Sequence, residues 1–404
     1  MSPQSIAQLF AAAPHRLLFF GGVSALLLSM IWWAAWLGAL RSGWWTMPLP
    51  SIPAGWAHAI GMQYMAIPLF MFGFLLTVFP RWMNLPALGF RAYLPVSGSL
   101  FVGYVAFHLG LLGYPLIVNA SLLVVTIGWA IGLIVLLRLL WLDGARTYHA
   151  NACWFALGMG FLGLLLVLGY QANGDARLLY GAIKLGTFGL LLPIVLSVGH
   201  RMVPFFSSLV IDNYQPFRPG WVLFVLLALS HAHMLLELVH GQRWLWLVDL
   251  PMTILGAWLS WRWGLFRTAH NRLLLVLHLS FAWFPISFAL FALQSLIYCF
   301  DGSFVMGRAP VHALTIGLFG SILVAMVTRV TQGHSGRPLQ MGTVPWLSFL
   351  SLQLVAVIRV LGELGSDPLL WQCIAALAWV VALLPWALRS AWIYLTPRID
   401  GKPG

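Results

Sequence analysis

Twelve histidines stand in a 404-residue chain that is 61% hydrophobic and has only nine acidic residues, and several fall where they could share a task. In the run SHAHMLLELVHG, His233, Glu237 and His240 are spaced i, i+4 and i+7, which places them on one helical face. A carboxylate and imidazoles on one face can hold a divalent metal. The same Glu could instead relay protons or accept a hydrogen bond from His; His231 points elsewhere. His58 (WAHAIGMQY) and His312 (PVHALTIGL) each open an apolar run, and neutral imidazole is a common ligand of haem iron and copper. His200 (GHRMVPFF), His278 (HLSFAW) and His334 (GHSGRP) complete the set, with Arg201 beside His200 and Arg337 near His334. Guanidinium pairs bidentately with carboxylates, so these arginines could meet haem propionates; their default task is to anchor helix ends.

The elements that must position these side chains are membrane helices. Only 7% of the residues are charged, against about a quarter in soluble domains. In lipid every backbone polar group must be paired within the chain, which leaves helices or a closed barrel. A barrel would show short alternating segments, whereas these apolar runs are continuous and long enough for a helix to cross. The reading is an all-α, polytopic helix bundle forming one transmembrane domain over residues 1–404. About twelve helices are expected, at 17–40, 56–79, 93–113, 115–141, 150–171, 178–199, 220–240, 244–263, 271–298, 311–331, 344–364 and 369–395.

Orientation follows from Lys and Arg in the loops. Eleven fall on the N-terminal side, from Arg16 and Arg81 to Arg398 and Lys402, against Arg41, Arg177, Arg243 and Arg308 on the other. Both termini are therefore expected in the cytoplasm, in the inner membrane of a bacterium. That topology puts His58 and His312 at one outer depth, where two imidazoles could clamp a haem between them. The charge of +12 is spread one or two per loop with no basic aromatic patch, so no nucleic-acid partner is expected. Cys153, Cys299 and Cys373 lie in or beside apolar runs, which argues against a disulfide framework. The first run, 17–40, is too long for a secretory signal and is read as a retained helix. No CxxCH motif occurs, so any haem would be non-covalent haem b.

The stretch HALTIGLFGSILVAMVTRVTQGHSGRPL, residues 312–339, resembles the signature of the NnrS family, as do GHRMVPFF (199–206), LHLSFAW (277–283) and the run from His58 to GFLLTVFPRW (73–82). The resemblance implies twelve helices, haem and copper, and a place in bacterial nitric oxide metabolism and denitrification. It carries His58, His278, His312 and His334 over as candidate haem or metal ligands. Many members read H-x-H-E-M in the second helix, where this chain has His58-Ala59-Ile60-Gly61-Met62, so a site built on the second His and the Glu is in doubt. His233, Glu237 and His240 lie outside the common pattern; with His200 they form the candidate ligand set for a second metal, copper or non-haem iron. The histidines of helices 2 and 10 and the helix 7 face also look, in architecture only, like haem–copper oxidoreductases and their nitric oxide reductase relatives.

The first expectation is a haem-binding membrane protein acting on nitric oxide, as a reductase joining two NO into N2O with Glu237 as its catalytic residue. NO partitions into lipid and needs no polar channel. Protons would travel on Glu237, Glu363, Asp249, Lys184 and the histidines, and electrons would come from a quinol or a redox protein. The alternatives are a non-catalytic haem or copper protein for NO sensing or resistance, and a transporter without haem.

Overall fold

A computed structural model describes residues 6–401. Among them 81% are helical and no strand occurs. After a short helix, Ile6–Ala11, the long helices are α1 (Pro14–Ser42), α2 (Ala54–Trp82), α3 (Phe90–Gly110), α4 (Pro115–Asp143), α5 (Tyr148–Asn173) and α6 (Ala176–Ser208). Then follow α7 (Gly220–Leu238), α8 (Trp246–Arg262), α9 (Arg272–Asp301), α10 (Ala309–Ser335), α11 (Thr343–Leu364) and α12 (Pro368–Tyr394). Eleven of these, all but α8, are long and apolar enough to cross a membrane, which makes the chain a multi-pass membrane protein. The expected helix over 244–263 is present as α8, but it has 17 residues and carries Asp249 and Arg262.

Local chemistry explains where the helices begin and end. Proline occupies the first turn of α1 and α4, where its missing N–H costs nothing. Gly43 and Gly144 close the same two helices in the left-handed conformation, at φ +67 and +64, which a residue without Cβ adopts freely. Asp175 caps α6 by accepting the Arg177 backbone N–H at 2.9 Å.

Three helices widen into π turns: Gly61–Ala66 in α2, Leu185–Leu191 in α6 and Ala313–Gly320 in α10. The first two run directly into Ile67–Pro68 and Leu192–Pro193. A proline cannot donate to the preceding turn, so the ladder shifts register just before it. In α10 the widened turn begins at the residue after His312.

The helices assort into two compact units. Unit 1 holds the chain up to Leu190 with Thr331–Pro338 and the residues from Trp386 onward; unit 2 holds Leu191–Val330 and Leu339–Pro385. Within unit 1, Tyr64 Oη donates to the Ala182 carbonyl at 2.6 Å and Gln63 Nε2 to Thr187 Oγ1 at 2.8 Å. These bonds tie α2 to α6, and a side chain at Gly163 or Gly186 would collide with Tyr64 and Gln63. The other surface of the unit is apolar: Leu123, Ile127 and Ile134 of α4 are more than half exposed, while Leu122, Val125 and Trp129 are buried. Such a stripe suits lipid.

Within unit 2, Phe281, Phe284, Phe288 and Phe291 of α9 form a continuous ladder with ring centroids 5.1–5.7 Å apart. Beside it Trp283 Nε1 donates to Gln353 Oε1, and Gln353 Nε2 donates to Ser321 Oγ, each at 2.7 Å. Helices α9, α10 and α11 are thereby joined by polar bonds, of the kind that hold membrane helices to one another.

Candidate functional site

The histidines gather around three kinds of partner. In unit 2, α7 carries His233, which is fully buried, and Glu237, which is 6% exposed. His233 Nδ1 donates to Asp249 Oδ1 of α8 at 2.6 Å, and its Nε2 lies 3.8 Å from Glu237 Oε1. Asp249 is itself fully buried. A charged side chain at such depth needs a partner, and here one imidazole serves two carboxylates. The arrangement is an acid–base chain, Asp249–His233–Glu237, packed against the Phe288 and Phe291 rings at 5.7 and 5.0 Å.

The expected third member of that face is not in it. Helix α7 stops at Leu238, because the Gly241 N–H returns to the Leu236 carbonyl at 2.7 Å and the His240 N–H to Glu237 at 3.1 Å. This closing turn requires a left-handed residue, and His240 takes that position at φ +57. Its side chain is exposed, one turn short of continuing the stripe. His200 does not join the set either: it is fully buried in α6, its Nε2 3.2 Å from the Pro219 carbonyl and its ring 6.3 Å from that of Trp263. Among the described residues no three His, Cys, Asp or Glu converge as a metal site. Of the expected ligand set, His233 and Glu237 therefore come together without His240 and His200, and the carboxylate that His233 bonds is Asp249.

The candidate haem ligands have distinct settings. His312 is half-buried at the start of α10, and its Nδ1 donates to the Arg308 carbonyl at 2.9 Å. That bond puts the proton on Nδ1 and the lone pair on Nε2, which is how ligating histidines are commonly held. His58 is half-buried in α2 and stacks on Trp33, ring centroids 4.7 Å apart at 9°. The two fall in different units, each just before a π turn. His278 is buried in α9 with Ser207 Oγ 3.0 Å from its Nε2.

His334, in the last turn of α10, belongs to unit 1 and meets a residue that lay outside the expected first helix. The ring of His15 is 4.2 Å from it, and Arg81 Nη1 is 3.5 Å from its Nε2. Arg337 stacks over Trp392 at 5.4 Å. Arg201 follows His200 within α6, which runs to Ser208 rather than ending at 199.

Sequence reasoning missed two partners. Asp249 was visible as a deep acid in the run VDLP, but nothing local ties it to His233, 16 positions away. His15 was hidden because the expected helix began at residue 17; Pro14 was the available signal, since proline favours a first turn.

Fold and site thus define a multi-pass helical membrane protein with paired, buried histidines. The NnrS protein family matches residues 9–398, nearly the whole chain, and the chain belongs to that family. No curated protein matches it.

Proposed function

We propose that this is a haem-binding protein of the bacterial inner membrane that acts on nitric oxide. The observation that carries the reading is the His312 Nδ1–H bond to the Arg308 carbonyl, which presents Nε2 as the ligand nitrogen. Family membership supports the link to nitric oxide. In unit 1, His58 is a separate candidate ligand, its ring plane held by Trp33. Haem b bound at either histidine would supply a redox-active iron with affinity for NO.

The rest of the work falls to the chain's own groups. Apolar helices admit NO from the bilayer. The Asp249–His233–Glu237 chain can hold and pass protons within unit 2, with Glu237 as its least buried member. Those are the needs of 2 NO + 2 H+ + 2 e− → N2O + H2O, with electrons from a quinol or a redox protein. A second metal is not part of the proposal, because no ligand set for one is assembled among the described residues.

Topology belongs to the same reading: twelve crossings with both termini in the cytoplasm. Helix α8 is the deciding element, since 17 residues span about 25 Å of a hydrocarbon core about 30 Å thick. The buried pairing of Asp249 with His233 keeps its acid away from lipid, which favours insertion. Reporter fusions after Gly174 should read periplasmic and after Gly404 cytoplasmic. Opposite locations for the two termini would leave α8 uncrossed.

The purified protein should show a visible haem spectrum, reduced or altered in His312→Ala and His58→Ala. Full haem with unchanged spectra in both variants rejects the ligand assignment, and absence of haem from the wild type would favour transport. NO consumption under reducing conditions separates a reductase from a binding protein. Glu237→Gln should retain haem and consume NO more slowly.

A further inference from the structure

At the end of unit 1 where α1 starts and α2 finishes, cations collect with little to balance them. Arg16 is only 3% exposed; its side chain donates from Nη1 to the Thr396 carbonyl at 3.3 Å, and it makes no ion pair among the described residues. Arg16, Arg81 and Arg398 all lie within electrostatic reach of the His334 ring, and Arg337 within reach of Arg16. The carboxylate that pairs within the group is Asp400, which accepts two bonds from Arg398 at 2.9 and 2.6 Å. The Gly336 turn, at φ +72, and the Ile399 N–H bond to the Ser335 carbonyl at 3.1 Å hold that tail against α10.

A buried imidazole sits in the same group. His15 is 2% exposed, and its Nδ1 is shielded from solvent without a hydrogen-bond partner. The Nη1 of Arg337 is likewise shielded and unpartnered. Unmatched polar groups in a water-poor place are costly, and neighbouring guanidiniums repel one another. Both costs fall if one anion with several acceptor oxygens enters. Four guanidiniums also oppose a metal cation at the His15–His334 pair.

We propose that His15, Arg16, Arg81, His334, Arg337 and Arg398 form a binding site for a phosphate group. Guanidinium forks match phosphate oxygens bidentately, and two imidazoles supply further N–H donors. The phosphate is either the head group of an anionic lipid or a free phosphate ion, and the site recognises the chemistry they share. The site uses neither His312 nor His58, on which the haem reading rests.

The test uses the full-length purified protein. Inorganic phosphate is titrated in detergent against chloride at matched ionic strength. Thermal stability is compared in nanodiscs of phosphatidylglycerol and of phosphatidylcholine. Arg81 is exposed, so Arg81→Gln should fold; Arg16→Gln probes the buried member. Arg146→Gln, exposed in the loop between α4 and α5, is the charge control. Binding should weaken about tenfold in either site variant, the loss of one charged hydrogen bond, and stay unchanged in the control. A response to free phosphate in detergent identifies the soluble ligand; one seen solely with phosphatidylglycerol identifies the lipid. No response to either, or equal weakening in Arg146→Gln, overturns the site.

Discussion

His15 in unit 1 and His233 in unit 2 are buried to almost the same degree, 2% and 0% exposed, yet their surroundings are opposite in sign. His233 has a carboxylate on each side, whereas His15 lies against His334 in a group of arginines. The contrast extends to the partners. Of the deep acids of unit 2, Asp249 is matched by His233 and Glu363 by Arg359 at 2.5 Å, and Glu237 lies 3.8 Å from the same His233 imidazole. The deep cation of unit 1, Arg16, has a backbone carbonyl instead. A low-dielectric interior tolerates charge when it is neutralised locally. Unit 2 achieves this within the chain; unit 1 leaves the balance to something that binds.

The comparison breaks most visibly by removing one charge from each side. Asp249→Leu strands the His233 N–H in a buried apolar site and should cost about 3–5 kcal/mol, read as a large fall in the melting temperature of the purified protein. Arg16→Met in phosphate-free detergent should move stability by no more than about 0.5 kcal/mol, because it also relieves repulsion among the arginines. Equal, large losses in both would erase the distinction between the units.

Smaller changes sharpen the picture. Gly163→Val drives a side chain into Tyr64 and should cost about 1–3 kcal/mol. Tyr64→Phe removes one helix–helix hydrogen bond and should cost about 0.6 kcal/mol, the average for such bonds in membranes. Glu237→Gln should fall below that, since its 3.8 Å separation from His233 is longer than a hydrogen bond. A large loss of stability in Glu237→Gln would make that residue a structural partner like Asp249, and the proton-carrying role assigned to it would lose its basis.

Much of this protein follows from its amino-acid order. The need to pair every backbone group in lipid turns each long apolar run into a helix, so the expected 150–171 lies inside the observed Tyr148–Asn173, and the expected 271–298 starts one residue before the observed Arg272–Asp301. The stretches from His58 and His312 likewise point to the family that residues 9–398 then match. What hydropathy leaves open is the last turn. Helix α7 ends two residues early, through hydrogen bonds to its own closing turn, and that alone takes His240 off the His233 face. Helix α6 runs on through Pro204 to Ser208, which puts His200 and Arg201 inside it. The partners of the buried groups are decided by tertiary structure alone. Periodicity reports which residues share a face of one helix, and carries no information about what the neighbouring helix presents. Asp249 reaches His233 from α8, and His15 reaches His334 across 319 positions of chain. Each pairing depends on how helices pack, and packing is set by the fit of many side chains at once, such as Tyr64 against Gly163 and Gly186.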